Sequence, residues 1–162
     1  MARKIEFGDL LRTVQPNATS LRVIVHGCNA QGVMGSGFAK QLATLYPGCY
    51  ETYREQLALL RRQEWNALGQ CITYSVDPSL VIANAITQEH FGRDPNRQYV
   101  SYRAVSDAFR VLKAYPGLAR AEVHYPLIGA GLGGGDWAVI SELISQQLDP
   151  AGISHTLWLY EP

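Results

Sequence analysis

Apolar and polar positions alternate in two distinct rhythms along this chain. The run Leu21–His26, rich in β-branched residues, predicts a buried strand, and Phe38, Leu42 and Leu45 recur at i, i+4 and i+7 as on one face of a helix. That helix begins at Gly37 and should end near Tyr46, before Pro47-Gly48. A second helix follows, with Tyr50, Tyr53, Leu57 and Leu60 on one stripe and Arg61 and Arg62 in its last turn. Cys71–Val76 and Leu80–Thr87 read as two strands joined by a tight Asp77-Pro78-Ser79 turn; the second is almost wholly apolar and should be central. Tyr99, Tyr102, Val105, Phe109 and Leu112 make the apolar face of a long helix, Glu122–Ile128 a strand, and Trp137, Ile140, Leu143, Ile144 and Leu148 a last helix capped by Asp136. Short strands at residues 3–7 and 154–160 complete the pattern, with a helical turn at Leu10–Val14 after Gly8-Asp9-Leu10. Strands alternating with helices predict an α/β layered domain spanning residues 1–162.

Two glycine-rich stretches interrupt this rhythm, and both leave a strand and enter a helix. The first runs from His26 to Ala39 and contains Gly32, Gly35 and Gly37; the second runs from Gly129 to Gly135. Glycines there let the backbone turn sharply or approach another group closely. The helix that follows directs unpaired N–H groups and a partial positive charge into the loop, which makes an anion site. Loops at the carboxyl ends of strands are where open α/β sheets bind ligands, so the pair predicts a ligand with a diphosphate, or with phosphate plus sugar. Gly129, Gly131 and Gly134 match the dinucleotide spacing, with Asp149 at the offset of the ribose-binding acid. Too little chain follows for the rest of that fold, however, and Asp149 falls at a helix end. No Gly-Lys-Ser/Thr is present, which sets aside a P-loop.

Lysine plus arginine equals aspartate plus glutamate, 14 each, so the basic surplus of a general nucleic-acid binder is missing. Three cysteines without a C-x-x-C spacing suggest neither a disulfide framework nor a zinc site, and a reducing compartment follows. The beginning of the chain has no apolar signal core, and no apolar run reaches the ~18 residues of a membrane span. The expectation is a cytoplasmic protein without membrane contact, metal or cofactor.

Gly8-Asp9-Leu10, the loop from Asn29 to Ala39, and Pro126-Leu-Ile-Gly-Ala-Gly-Leu132, in this order and spacing, resemble the macro-domain family of ADP-ribose-binding proteins over Gly8 to Tyr160. Val23–Asn29 and the closing Leu157–Tyr160 are similar to the branch containing ADP-ribose 1″-phosphate phosphatases and terminal ADP-ribose glycohydrolases. The resemblance implies a three-layer α/β/α fold around a mixed six- or seven-stranded sheet. It further implies that Asp9, with Leu10, meets adenine, that Asn29 and the backbone of Gly35, Ser36, Gly37 and Phe38 hold the distal ribose, and that the backbone N–H groups of Gly129, Ala130, Gly131, Leu132, Gly133, Gly134 and Gly135 cradle the diphosphate, with Ile128 also at the ligand. Tyr160 would stack on adenine. Loop amides suit phosphates, a carboxylate suits an amine donor and an aromatic face suits a base. Two departures stand out. The second asparagine of the commoner family loop is Gly32 here, and the lysine and aspartate of the glycohydrolase branch are Gln88 and Gly133.

His26 is the candidate for chemistry, as acid/base or nucleophile in removing the 1″-phosphate, because an imidazole exchanges protons near neutral pH. Asp136 is explained as a helix cap, Cys28 as a small buried residue, and His90, Glu89 and Arg93 as members of a polar, solvated 88–98 loop, with a lid over the distal ribose as the alternative. The expected activity is hydrolysis of ADP-ribose 1″-phosphate. The rivals are a reader of free or protein-linked ADP-ribose, and a hydrolase that frees ADP-ribose from protein or nucleic acid without the lysine.

Overall fold

The computed structural model describes residues 3–161. In chain order the elements are β1 (Lys4–Phe7), α1 (Leu10–Thr13), β2 (Arg22–Asn29), α2 (Gly37–Leu45), α3 (Pro47–Arg62), β3 (Cys71–Asp77), β4 (Leu80–Gln88), α4 (Tyr102–Leu112), β5 (Glu122–Tyr125), α5 (Trp137–Leu148) and β6 (Ser154–Leu159). A 3₁₀ turn at Leu118–Arg120 precedes β5.

One six-stranded sheet has the order β1-β6-β5-β2-β4-β3. Every neighbouring pair is parallel except the β3–β4 hairpin. Its turn is fixed by Asp77, whose Oδ1 accepts from the Ser79 amide and hydroxyl, both at 2.8 Å. Period-two alternation divides the central strands between two cores. Val23, Val25, Val81, Ala83, Val123 and Tyr125 pack with Phe109 of α4 and Ile140, Ile144 and Leu148 of α5. Ile24, Leu80 and Ile82 pack with Leu10, Leu11, Leu42 and Cys49, and Cys28, Ile72 and Ile86 pack with Tyr53 and Leu57. The result is three layers, with α1, α2 and α3 on one face and α4 and α5 on the other, as expected from the alternation.

Several boundaries differ from the sequence expectation, and those nearest the site do so for local reasons. β2 runs on through Gly27 and Cys28 to Asn29, paired with β4 as far as Gln88 with a register shift between Cys28 and Asn29, so His26 lies inside the strand and not at its end. Pro126 stops β5 at Tyr125, since it carries no N–H for the ladder. Ser101 caps α4, its Oγ accepting from the Ala104 amide at 3.1 Å, which leaves Tyr99 outside the helix. β6 ends at Leu159, one residue before Tyr160. Pro47 takes the first position of α3, where its missing N–H costs nothing.

β2 lies between β4 and β5, and this arrangement creates the site. The chain leaves β2 over one face of the sheet, through α2 and α3, and leaves β5 over the other, through α5. The two glycine loops therefore diverge from adjacent parallel strand ends and leave a crevice between them. Among the described residues, no helix is long and apolar enough to cross a membrane.

Candidate functional site

The first loop is built on Asn29. Its Oδ1 accepts from the amides of Gln31 (3.0 Å) and Val33 (3.3 Å), and its Nδ2 donates to the Val33 carbonyl (2.8 Å). From α3 the buried Tyr53 hydroxyl reaches both the Asn29 carbonyl (2.5 Å) and Oδ1 (3.0 Å), while Tyr50 donates to the Gly32 carbonyl at 3.2 Å and Arg61 to that of Ala30. The carboxamide oxygen expected at a ribose is thus spent holding the loop. Beyond it, Ser36 precedes α2 in extended geometry with no side-chain cap bond. The amides of Gly37, Phe38 and Ala39 find no acceptor among the described residues and open into the crevice.

The second loop folds on itself. The Gly135 amide donates to the Gly129 carbonyl (2.8 Å), Gly134 to Gly131 (3.1 Å), and Ala130 to Leu127 (3.4 Å). Gly129 has φ +71°, and a Cβ there would lie 2.6 Å from Val100 Cγ2; one at Gly133 would lie 2.7 Å from the Gly129 carbonyl oxygen. Packing excludes a side chain at both positions, and at Gly129 the left-handed backbone does so as well. The Gly133 carbonyl accepts from Tyr99 (2.8 Å) and Val100 (3.1 Å), which ties the loop to the 88–98 segment. Among the described residues, the amides of Gly129, Gly131, Leu132 and Gly133 have no acceptor. The expected seven-residue cradle, Gly129 to Gly135, is therefore narrower, because Ala130, Gly134 and Gly135 use their N–H groups internally.

Between the loops lies a cleft of about 610 Å³. It brings together His26, Asn29, Gly35, Ser36, Gly37, Phe38, Ile128, Gly129, Gly131, Leu132 and Gly133. Ala130, Gly134, Asp9, Leu10 and Tyr160 do not line it. Asp9 caps α1, with Oδ1 accepting from the amides of Leu11 (3.1 Å) and Arg12 (3.3 Å). It borders a separate groove of about 520 Å³ beside α2, which meets the first cleft at Gly37. The Leu10 side chain is core, and Tyr160 is 71% exposed.

His26 forms part of the cleft floor at 1% exposure, its ring 5.8 Å from that of Phe38. Its Nε2 lies 2.6 Å from Asn84 Oδ1, and Asn84 Nδ2 donates to the Ile72 carbonyl at 3.0 Å. That second bond fixes which end of the amide faces the ring. Nε2 therefore carries the proton and Nδ1 a lone pair. Burial pushes the imidazole down to about 4, against a smaller upward pull from the Asn84 bond. With the ring uncharged at neutral pH, Nδ1 can first act as base or nucleophile, and the imidazole can donate a proton only after it has taken one up. Burial, reinforced by Cys49 and Cys71, pushes the Cys28 thiol far up, which keeps it protonated and inert.

Tyr53, Asn84 and Phe91 belong to this constellation and were not singled out by sequence, and Arg93 was read there only as one of the polar 88–98 loop residues. Tyr53 and Asn84 look like ordinary helix-stripe and strand residues, and only the fold joins them to Asn29 and His26. Phe91 and Arg93 reach the cleft from the polar loop, and Arg93 is the one lysine, arginine or carboxylate residue among its lining side chains. Among the described residues no group of three or more His, Cys, Asp or Glu converges as metal ligands.

No protein-family model matches the chain. Among curated proteins it is similar to an ADP-ribose 1″-phosphate phosphatase of Scheffersomyces stipitis, 30% identical over 88 residues, covering 54% of this chain and 43% of that protein. It is also similar to a DNA ADP-ribosyl glycohydrolase of Thermus aquaticus, 27% identical over 94% of this chain and 41% of that protein. The chain thus spans less than half the length of both relatives. A macrodomain protein structure from Streptomyces coelicolor superposes with a TM-score of 0.74 at 28% identity, over 98% of this chain and 100% of that one.

Proposed function

The chain belongs to the macrodomain family, and on that premise we propose that its cleft binds ADP-ribose and hydrolyses ADP-ribose 1″-phosphate to ADP-ribose and phosphate. One observation carries the reading. Two sets of unpaired main-chain amides, Gly37–Ala39 and Gly131–Gly133, border one cleft that has no carboxylate and no lysine in its lining. Such a lining favours a polyanion, and it offers neither an amine for a sugar adduct nor an acid for activating water at a glycosidic carbon. A diphosphate fits the amides of Gly131–Gly133. The distal ribose follows toward Phe38 and His26, and the Asp9 groove takes the adenine.

In the proposed step, water attacks the 1″-phosphorus, an O–P bond forms, and the bond from phosphorus to the anomeric oxygen breaks. His26 Nδ1 takes the proton that water loses and returns it to the anomeric oxygen, so ADP-ribose and hydrogen phosphate leave. Loop amides stabilise the charge on the phosphoryl oxygens. A bound phosphate dianion raises the affinity of the imidazole for a proton, which strengthens a base that is weak in the free protein.

Phosphate release from ADP-ribose 1″-phosphate tests this, with His26→Ala as the comparison. Turnover by the wild type that falls at least 100-fold in the variant, on the scale of a lost acid/base group, supports the assignment. If both proteins are inactive yet bind ADP-ribose, the molecule is a reader, a reading favoured by the burial of His26; equal activity removes His26 from the mechanism.

A further inference from the structure

Loop 88–98 contains four side chains of fixed charge, and three of them are engaged locally. Glu89 Oε1 accepts from Gln31 Nε2 at 3.3 Å, Asp94 Oδ1 accepts from the Asn96 amide at 2.9 Å, and the Arg97 guanidinium lies 4.7 Å from the centre of the Tyr99 ring. Arg93 has neither hydrogen bond nor ion pair among the described residues, is exposed, and lines the cleft. Its segment is not a free arm. Tyr99 and Val100 donate to the Gly133 carbonyl, and the Asp94 amide donates to the Tyr99 hydroxyl at 3.3 Å. The loop bearing the cation and the loop bearing the unpaired amides are therefore fastened to each other.

We propose that Arg93 is a specificity residue, closing an anion subsite that recognises a phosphate monoester on the distal ribose and so separates ADP-ribose 1″-phosphate from ADP-ribose. This rests on the binding reading above. The physical argument is one of balance. Main-chain amides supply partial charges enough for a diphosphate, but a terminal monoester dianion adds up to two charges to a cleft whose lining holds no other fixed cation than Arg93. A guanidinium answers that group with paired N–H donors. Phe91, 52% exposed on the same loop and also lining the cleft, supplies an apolar edge that limits water around the pair.

The test compares Arg93→Gln and Arg93→Lys with wild type, measuring kcat/KM or, where nothing turns over, the dissociation constant for ADP-ribose 1″-phosphate, alongside the dissociation constant for ADP-ribose. The expected result is a loss on the order of 10- to 100-fold for the phosphorylated ligand in Arg93→Gln, as for a charge-assisted hydrogen bond. The loss for ADP-ribose, whose diphosphate shares the cleft, should be several-fold smaller than for the 1″-phosphate, Arg93→Lys should recover part of the loss, and raising salt should shrink the wild-type preference. Equal loss for both ligands, or none for either, overturns the inference. If the wild type binds ADP-ribose but prefers it to the 1″-phosphate, the specificity claim fails while the binding reading stands. If it binds neither, the binding reading fails and the subsite with it.

Discussion

The protonation state of His26 has a consequence for stability that can be measured without any ligand. In the unfolded chain the imidazole titrates at its ordinary 6.5, whereas in the native protein burial brings it to about 4. Above pH 6.5 neither state holds the proton and the group contributes no pH dependence. As pH falls from 6.5 toward 4 the unfolded chain takes up a proton that the native state refuses, so stability falls across that window and levels off below it. A difference of 2.5 units between these two values, at about 1.4 kcal/mol per unit, amounts to about 3 kcal/mol. For a chain of this length that corresponds to a fall in Tm of roughly 6 to 12 °C. His124 is also depressed, chiefly by burial, and pulls in the same direction, so the wild-type curve alone does not isolate His26. The difference between wild type and His26→Phe does, because the other groups cancel. Thermal melts from pH 8 to pH 4 should give a difference flat above pH 6.5 and falling by about 3 kcal/mol toward pH 4. Parallel curves, or an imidazole resonance of His26 that titrates between pH 6 and 7, would refute both the burial argument and the neutral-base role.

Further substitutions probe the loops and the core beneath them. Gly129→Ala should cost about 2 to 5 kcal/mol, combining the left-handed backbone penalty with overpacking against Val100, whereas Gly131→Ala, where a Cβ meets nothing within 4 Å, should melt like wild type; differential scanning calorimetry on the pair checks this. Tyr53→Phe removes the hydroxyl that holds Asn29 and takes that donor from the Asn29 carbonyl, while Oδ1 keeps the Gln31 and Val33 amides. It should lower stability by about 1 to 3 kcal/mol and weaken ADP-ribose binding in calorimetry, while an unaltered affinity would detach Asn29 from the site. Thr87 Oγ1 is buried without a partner, so Thr87→Val should raise Tm by roughly 2 to 4 °C, the shift expected of about 1 kcal/mol; a lower Tm would mean that the hydroxyl has a partner.

The alternation of apolar residues carried most of the architecture, because each core face repeats at two or 3.6 residues along the chain. It failed where the local signal was ambiguous. Gly27, Cys28 and Asn29 do not look like strand residues, yet pairing with the apolar β4 extends β2 through them. Tyr99 fits the helical stripe of α4, but the Ser101 cap and its own amide bond to Gly133 hold it outside. The two loops were legible from their glycines, since close packing at Gly129 and Gly133 leaves a compositional mark. Which amides remain free was not, because Gly134 and Gly135 spend theirs on carbonyls within the same loop. The neutral state of His26 was equally hidden, as its partner Asn84 lies far along the chain and only strand pairing brings the two together. Arg93 sat in a polar segment with no periodicity to mark it, and its lack of a partner is visible only in three dimensions.

The central claim is that unpaired amides of both loops grip one ligand. It is tested most directly by ¹H–¹⁵N shift mapping as ADP-ribose is added, with AMP as the comparison. The account predicts that the amides of Gly37, Phe38, Ala39, Gly131, Leu132 and Gly133 move together on adding ADP-ribose, and that AMP shifts the Asp9 groove while leaving the ribose-side loop largely unmoved. Shifts confined to one loop, or to residues outside the cleft, would contradict it.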